Sequence, residues 1–248
     1  MYRNLLTVDD LERIDIIRLA FENRIELAAQ EGFIHGPIAV PQNILEQLNT
    51  HSVAAFRLLA FFKQIPEFNQ VKIDDKMILI KYNLMHVIVL NNAASFQSVP
   101  NKLPQIDGDV PWNIHLLERV HGQSILPDLQ RIFRPIVEIA RADMKIFPMV
   151  FIVFILLKGL SAGEGVPEPI LEDGISVYRA QNIFTELLWK YLETNHGSHA
   201  ATRIMSTIVT KFMSWQVYYL KMRSNVNQVV SVTDENRLLP LMKSIFHI

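Results

Sequence analysis

Cysteine is absent from this chain of 248 residues. Without thiols the protein has no disulfide framework, no cysteine-type zinc site and no thiol nucleophile, which is compatible with an intracellular location. An excess of either charge is also lacking, since 24 basic and 25 acidic residues give a formal net charge of −1. The charge balance therefore provides no electrostatic footprint for nucleic acid or for an anionic membrane.

Long apolar runs are scarce. The most apolar one, IFPMVFIVFILL at 146–157, lies between Lys145 and Lys158. A bilayer span needs about 20 apolar residues, so we predict a fully buried element and no membrane partner. The N-terminal residues mix charges with apolar positions, unlike the uninterrupted apolar centre of a signal peptide.

Half of the residues are hydrophobic, which is enough to bury a sizeable core, and we predict one domain over 1–248. Thr7 and Asp10 form a capping-box pattern at the start of the first helix, and Pro66 is predicted to end the second. Apolar residues recur at helical spacing in segments that we predict to be helices: 8–30, 41–65, a segment from 74 onward, 113–121, 124–142, 145–160, 173–195, 199–222 and 238–246. The turn-rich stretch 96–112 predicts a short β-hairpin. Strand-like alternation is otherwise scarce, so the predicted class is all-α around a buried central layer.

The stretch FFKQIPEFNQVKIDDKMILIKY at 61–82 resembles the signature of nuclear receptor ligand-binding domains. The family pattern is matched by Phe62, Lys63, Ile65, Pro66, Phe68, Asp75, Leu79, Ile80 and Lys81, while Lys76 replaces the usual glutamine. The end of the chain, LLPLMKSIF at 238–246, looks like the family's C-terminal activation helix, and 199–222 looks like its long dimerisation helix. The resemblance is closest to the thyroid hormone and vitamin D receptor-like group. It implies a three-layer antiparallel α-helical sandwich.

In this family the lysine that ends helix three holds the C-terminal carbonyls of a coregulator helix with the motif Leu-x-x-Leu-Leu. Those carbonyls lack intrahelical partners and carry the negative end of the helix dipole, so an ammonium group complements them. The resemblance implies a coregulator groove, a helix-in-groove site, formed by Leu59, Phe62, Lys63, Phe68, Ile80, Lys81, Leu241, Met242 and Ser244. The alternative for both lysines is a solvated charge at a helix end.

Ser244 stands where the family has a glutamate that caps the N-terminus of the coregulator helix. A serine hydroxyl accepts a hydrogen bond but brings no charge, which forfeits about 0.3 to 1 kcal/mol of dipole interaction. We therefore expect weak coactivator binding, and a corepressor-type helix is a second candidate partner.

The resemblance also implies a pocket for a small hydrophobic ligand such as a lipid, a sterol or a fatty acid. The predicted lining residues are Leu48, His51, Ala54, Ile88, Asn91, Asn92, Ser95, Leu126, Leu129, Phe212 and Tyr219. His51, Asn91 and Asn92 are the predicted polar anchors in an otherwise apolar wall. Asn91 stands where many relatives have a ligand-binding arginine, so a carboxylate salt bridge is not expected there. For each position the alternative is ordinary core packing, or for Asn92 an exposed amide.

The same family likeness implies a nuclear location and a dimer, formed with a second copy or with the retinoid X receptor. The glutamate and arginine of the retinoid X receptor partners' polar network are missing, with His86 in place of the glutamate. An apolar face of Ile204, Ile208, Phe212, Trp215 and Tyr219 is the predicted dimer seam, or alternatively helix core. No DNA-binding domain occurs in this sequence, so DNA contact is expected only through a domain outside it. No cofactor is predicted.

Two other classes compete with the receptor. GLSAG at 159–163 matches the Gly-x-Ser-x-Gly elbow of α/β-hydrolases, with Ser161 as the nucleophile of an esterase, but glycines and prolines follow where the elbow needs a helix. A constitutive interaction module whose pocket is filled by the bulky residues around 147–154 is the other alternative. His196 and His199 are three apart across a glycine without a third ligand, so no metal site is predicted.

Overall fold

Helices make up 81% of the residues that the structure describes. The structure is a computed structural model, and it describes residues 6–33, 39–95, 113–159, 168–230 and 236–246. Those ranges contain eleven helices: α1 (Val8–Glu22), α2 (Arg24–Gln30), α3 (Ile44–Phe62), α4 (Pro66–Gln70), α5 (Ile73–Ala94), α6 (Ile114–His121), α7 (Ile125–Ala142), α8 (Ile146–Ile155), α9 (Gly174–His196), α10 (Ser198–Val229) and α11 (Pro240–Phe246). The described part contains no strand, which agrees with the predicted all-α class. The predicted hairpin at 96–112 lies outside the described residues.

The predicted capping box at the start of α1 is confirmed. The Thr7 N–H donates to Oδ2 of Asp10 at 3.0 Å, and the Asp10 N–H donates to Oγ1 of Thr7 at 3.1 Å. The single helix predicted over 8–30 is wrong, because Asn23 (φ −87°, ψ 7°) interrupts it and separates α1 from α2. An apolar period continues across such a break, so it does not reveal the interruption.

Pro66 was predicted to end the second helix; α3 ends before it, at Phe62, and Pro66 begins a further helix, α4. Ile65 before it is extended (φ −93°, ψ 112°), as a residue preceding proline prefers, and Pro66 occupies the first turn of α4. Proline is tolerated there because its missing N–H would have no intrahelical partner. The segment between α3 and α5 therefore contains a helical turn that buries Phe68.

Two apolar helices, α5 and α8, form the centre of the core. Every residue of α8 except Val153 is buried, close to the prediction for 146–157. Helix α5 has the length and apolar character of a membrane-spanning helix, but 72% of its most apolar 18-residue window is buried, as in a core helix. Asn83 of α5 joins the two, because its Nδ2 donates to the carbonyl oxygens of Ile155 (2.9 Å) and Leu157 (2.6 Å) at the end of α8.

The two longest helices, α9 and α10, are joined by Gly197, whose φ of +78° favours glycine. Helix α10 continues seven residues beyond the predicted end at 222 and packs on α6, α7 and α9. Of the two interpretations of its apolar face, dimer seam or helix core, burial agrees with core at four of five positions: Ile208, Phe212, Trp215 and Tyr219 are at most 5% exposed, and Ile204 is partly buried. Trp215 Nε1 donates to Nδ1 of His86 on α5 at 3.2 Å, so this face of α10 belongs to the core.

Candidate functional site

A cavity of about 500 Å³ lies among α3, α5, α6, α7, α10 and α11. Its volume falls within the range of roughly 300 to 1,000 Å³ that is typical of small-molecule sites. Its wall is mostly apolar, with Ile44, Leu48, Met85, Val89, Ala93, Ile114, Leu117, Leu126, Leu129, Phe133, Val137, Trp215, Tyr219, Met222, Val226 and Phe246. The polar and charged members of the wall are Gln47, His51, Asn92, His121, Gln130, Arg134, Glu138, Arg141 and Arg223.

Helical spacing explains why these side chains converge. On α3 the wall residues are Ile44, Gln47, Leu48 and His51, which follow one another at i, i+3, i+4 and i+7 and so share one face. On α5 they are Met85, Val89, Asn92 and Ala93, which also repeat at helical spacing. Each helix therefore presents one stripe to the cavity and the rest of its surface to other helices.

Six of the predicted lining residues lie in the cavity wall: Leu48, His51, Asn92, Leu126, Leu129 and Tyr219. The other five lie outside it, among them positions that take the alternative of core packing: Ala54, Ile88, Asn91, Ser95 and Phe212. Ala54, Ile88 and Asn91 are fully buried in the core. Phe212 stacks on Phe154 of α8 with ring centroids 4.2 Å apart, and Ser95 caps the C-terminus of α5.

Asn91 and Asn92 differ in direction although they are neighbours. Successive residues of a helix are about 100° apart, and Asn92, seven residues after Met85, lies closer to the direction of Met85 and Val89 than Asn91 does. Asn92 is in the cavity wall, and it is 4% exposed. Asn91 is on the opposite side of α5 and is fully buried in the core. Neither side-chain atom of either amide has a hydrogen-bond partner within the described structure.

The buried polar groups of the wall are electrically neutral at neutral pH. Burial lowers the pKa of His51 to about 4, and it lowers the pKa of His121 to about 4 as well. Gln47 is uncharged and already engaged: its Oε1 accepts from the Asn113 N–H at 3.0 Å, and its Nε2 donates to Oγ1 of Thr50 at 3.3 Å. The buried part of the cavity thus favours an uncharged ligand group.

Three of the four charged wall residues, Arg134, Glu138 and Arg141, lie on α7 and are exposed, whereas Arg223 on α10 is half-buried. Arg134 Nε donates to Oε1 of Glu138 at 3.0 Å in an ion pair that is open to solvent, and Arg141 is also exposed. They follow Gln130 at i+4, i+8 and i+11, so one stripe of α7 carries the charges. The described wall therefore has a buried neutral part, an exposed charged edge on α7 and one half-buried cation, Arg223, on α10.

The C-terminal helix α11 contributes Phe246 to the cavity wall, where its ring centroid lies 6.2 Å from that of His51. Helix α11 packs on α3 and α5. Asn49 of α3 holds the segment that leads into it, since Asn49 Nδ2 donates to the Arg237 carbonyl at 3.2 Å and Oδ1 accepts from the Leu239 N–H at 3.0 Å. Leu238 between those two contacts is 4% exposed.

The predicted coregulator groove is partly accessible. Leu59, Ile80, Lys81, Leu241 and Ser244 are partly exposed. Three members are corrected, because Phe62, Phe68 and Met242 are at most 3% exposed and belong to the core behind the groove. The Phe62 and Phe68 rings contact each other, with centroids 5.5 Å apart.

Lys63 ends α3 as predicted, but it is already paired. Its side chain is 54% exposed and forms an ion pair with Glu31 at the C-terminus of α2. Lys81 on α5 lies near the ring of Tyr82, 5.7 Å from its centroid. A peptide that used Lys63 would therefore compete with Glu31 for the ammonium group.

Sequence reasoning missed several wall residues, among them Gln47, Met85, Val89 and Trp215. Gln47 and Val89 could have been predicted from the sequence, because each lies three or four residues from a predicted position on the same helix that is in the wall. Trp215 was assigned to an outer dimer seam, since an apolar helix face does not reveal what covers it.

The competing sites involve Ser161 and the histidines of 196–199. Ser161 lies outside the described residues, and the described part offers no sheet of the kind that an α/β-hydrolase places under its nucleophile. His196 pairs with Oδ2 of Asp143 at 3.0 Å, and no group of three metal-ligating side chains occurs in the part of the chain that the structure describes.

No protein-family model matches the chain, and no curated protein matches it either.

Proposed function

We propose that this chain is the ligand-binding domain of a ligand-regulated transcription factor of the nuclear receptor kind, folded as a three-layer antiparallel helical sandwich. The cavity holds a small hydrophobic ligand. The observation that carries the proposal is the position of Phe246, which lines the cavity while its helix α11 packs on α3 and α5. A ligand that contacts Phe246 in one arrangement of α11 shifts the population toward that arrangement.

Helices α3 and α5 also carry the cations of the coregulator groove, Lys63 and Lys81. Occupancy of the cavity and occupancy of the groove are therefore linked through α11, and the coupling is reciprocal. The partner is a Leu-x-x-Leu-Leu coactivator helix or a corepressor helix. Lys63 holds the peptide's C-terminal carbonyls, whereas Ser244 offers its N-terminus a neutral oxygen, so coactivator binding is weak.

The same proposal includes a nuclear location and a dimer through α10. The exposed apolar stripe of this helix consists of Val209, Met213 and Val217, which are 45%, 59% and 73% exposed. It replaces the buried face that the sequence suggested as the seam. A second copy of the chain or a retinoid X receptor is the proposed partner, and DNA contact requires a separate domain.

The cavity favours a receptor over an interaction module with a filled pocket. The fully buried phenylalanines of α8, Phe147 and Phe151, pack against each other with centroids 6.0 Å apart and are not part of the cavity wall. About 500 Å³ of space remains in the cavity.

Titration of a fluorescent Leu-x-x-Leu-Leu peptide tests the proposal. Lys63→Ala is expected to weaken binding, while Lys145→Ala, which removes an exposed cation at the start of α8, leaves it unchanged. Ser244→Glu is expected to strengthen binding several-fold, because a carboxylate at a helix N-terminus contributes about 0.3 to 1 kcal/mol. Equal affinities for the parent protein and its three variants would contradict the proposed coregulator groove.

A further inference from the structure

Asn92 is a buried amide on the cavity stripe of α5. Its stripe neighbours Met85, Val89 and Ala93 are apolar, and the residue is only 4% exposed. Within the described structure neither its Oδ1 nor its Nδ2 has a hydrogen-bond partner. Because buried amides in folded proteins are nearly always hydrogen-bonded, an unpaired one that faces a cavity indicates a group that enters the cavity.

Gln47 is excluded as the anchor, since both ends of its amide are already engaged by Asn113 and Thr50. Asn91 is excluded because it faces away from the cavity, although it is just as buried and also lacks a partner. Asn92 is therefore the wall amide whose donor, Nδ2, and acceptor, Oδ1, are both available to a ligand.

The surroundings of Asn92 select against charge. His51 and His121, the buried titratable groups of the described wall, are neutral at neutral pH because burial lowers the pKa of each to about 4. Of the charged wall residues, Arg134, Glu138 and Arg141 on α7 are exposed, and Arg223 on α10 is half-buried. A carboxylate has no N–H or O–H to donate, so beside Asn92 it would lose its hydration and leave Oδ1 of the amide unpaired.

Given the ligand-binding function proposed above, on which this step rests, we infer that the cavity takes an amphipathic molecule with a neutral hydrogen-bonding head, a carboxamide or an equivalent donor and acceptor, paired with Asn92. The apolar body of the ligand lies along the Met85 and Val89 side of α5. A fatty carboxylate is disfavoured, which narrows the ligand class from lipids in general to neutral lipids with a paired donor and acceptor.

Three probes of equal chain length separate these possibilities: dodecanamide, dodecanoate and dodecane. Binding to the delipidated chain is followed by tryptophan fluorescence, since Trp215 is in the cavity wall. Dodecanamide is expected to bind about tenfold more tightly than dodecane, because two hydrogen bonds are added to an otherwise equal apolar contact. Dodecanoate is expected to bind less tightly than dodecanamide.

Asn92→Leu is expected to abolish the preference for the amide while dodecane still binds. Asn91→Leu is the matched control: it removes an equally buried unpaired amide outside the cavity and should leave the preference intact. If leucine is too bulky for folding at position 92, which a thermal melt reveals, Asn92→Ala makes the same comparison.

The outcomes separate the inference from the proposed function. Equal binding of dodecane and dodecanamide, tighter binding of dodecanoate, or an amide preference that survives in Asn92→Leu would overturn the inference but leave a ligand cavity. Equal binding would also indicate that water satisfies the Asn92 amide. Failure of all three probes to bind would overturn the proposed function together with the inference.

Discussion

Asp75 is a buried carboxylate that connects the first turn of α5 to the segment before α9. The Glu172 N–H donates to its Oδ1 at 2.7 Å, and the Asp173 N–H donates to its Oδ2 at 2.9 Å. Asp75 is 1% exposed, so its removal would leave two backbone donors without an acceptor in a protected place.

We predict that Asp75→Ala lowers the free energy of unfolding by about 3 kcal/mol, because hydrogen bonds to charged groups contribute about 1.5 to 3 kcal/mol each. Urea unfolding monitored by circular dichroism measures the loss. Asp74→Ala removes the exposed neighbouring carboxylate and should keep the parent's midpoint. Similar midpoints for both variants would contradict the role of Asp75.

His51 makes stability depend on pH. Burial lowers its pKa from 6.5 to about 4, so on acidification the unfolded chain binds a proton before the folded protein does. Stability is therefore fully present above pH 6.5 and falls as the pH drops from 6.5 toward 4. One such residue accounts for up to about 3 kcal/mol across this window.

We predict that His51→Gln reduces the loss of stability between about pH 7.5 and about pH 4.5, whatever its effect at neutral pH, because glutamine does not titrate. Urea unfolding at both pH values provides the measurement. His115→Gln is the control, since the His115 side chain is 91% exposed. An unchanged acid sensitivity in His51→Gln would show that other groups dominate it.

At the scale of elements, the contact between α2 and the end of α3 limits access to Lys63. Glu31 at the end of α2 pairs with this lysine, and both side chains are partly open to solvent. Exposed ion pairs contribute about 0.2 to 1 kcal/mol, so Glu31 competes only weakly with a peptide.

We expect Glu31→Gln to raise the affinity for a Leu-x-x-Leu-Leu peptide by about two- to fivefold, since Lys63 no longer has to leave a carboxylate. Fluorescence polarisation measures the change. Glu26→Gln makes the same charge change at an exposed position of α2 and should have no effect. Equal gains in both variants would indicate a general charge effect instead.

The two contacts of Asn49 decide how firmly α11 is held against α3. Asn49→Ala removes both the bond to the Arg237 carbonyl and the bond from the Leu239 N–H. Each neutral hydrogen bond contributes about 1 kcal/mol, so the loss of both should make α11 open about thirtyfold more often. Hydrogen exchange of 240–246 should accelerate accordingly, while α9 keeps its protection. Unchanged exchange in α11 would mean that Met242, Ile245 and Phe246 hold it without Asn49.

For the whole molecule, the exposed apolar stripe of Val209, Met213 and Val217 on α10 predicts a homodimer. Met213→Glu places a charge at its centre and should convert the proposed homodimer into a monomer in light-scattering measurements across a range of concentrations. Ile183→Glu, at an exposed apolar position of α9, is the control and should remain dimeric. A parent protein that is monomeric at every concentration, or a Met213→Glu variant that remains dimeric, would contradict this assembly.

Local chemistry allowed much of the fold to be predicted. The capping box of Thr7 and Asp10 depends on residues three apart, and the burial of α8 follows from a run with almost no polar residue, so both could be read from the sequence. Six of the eleven predicted lining residues are in the cavity wall, and they could be predicted because their helices show apolar faces.

What depends on contacts between distant residues could not be predicted. The sequence places Asn91 and Asn92 side by side with nothing to distinguish them, and it gives Lys63 no visible partner. Packing against α3, α7 and α11 fixes the rotation of α5, which turns Asn92 toward the cavity and Asn91 into the core. The end of α2 lies beside the end of α3 and brings Glu31 to Lys63 across 32 positions. The sequence by itself determined the helices and their apolar faces, because neighbours in the chain set these, whereas only the tertiary structure decided which polar groups meet, because that depends on how the helices rotate against one another.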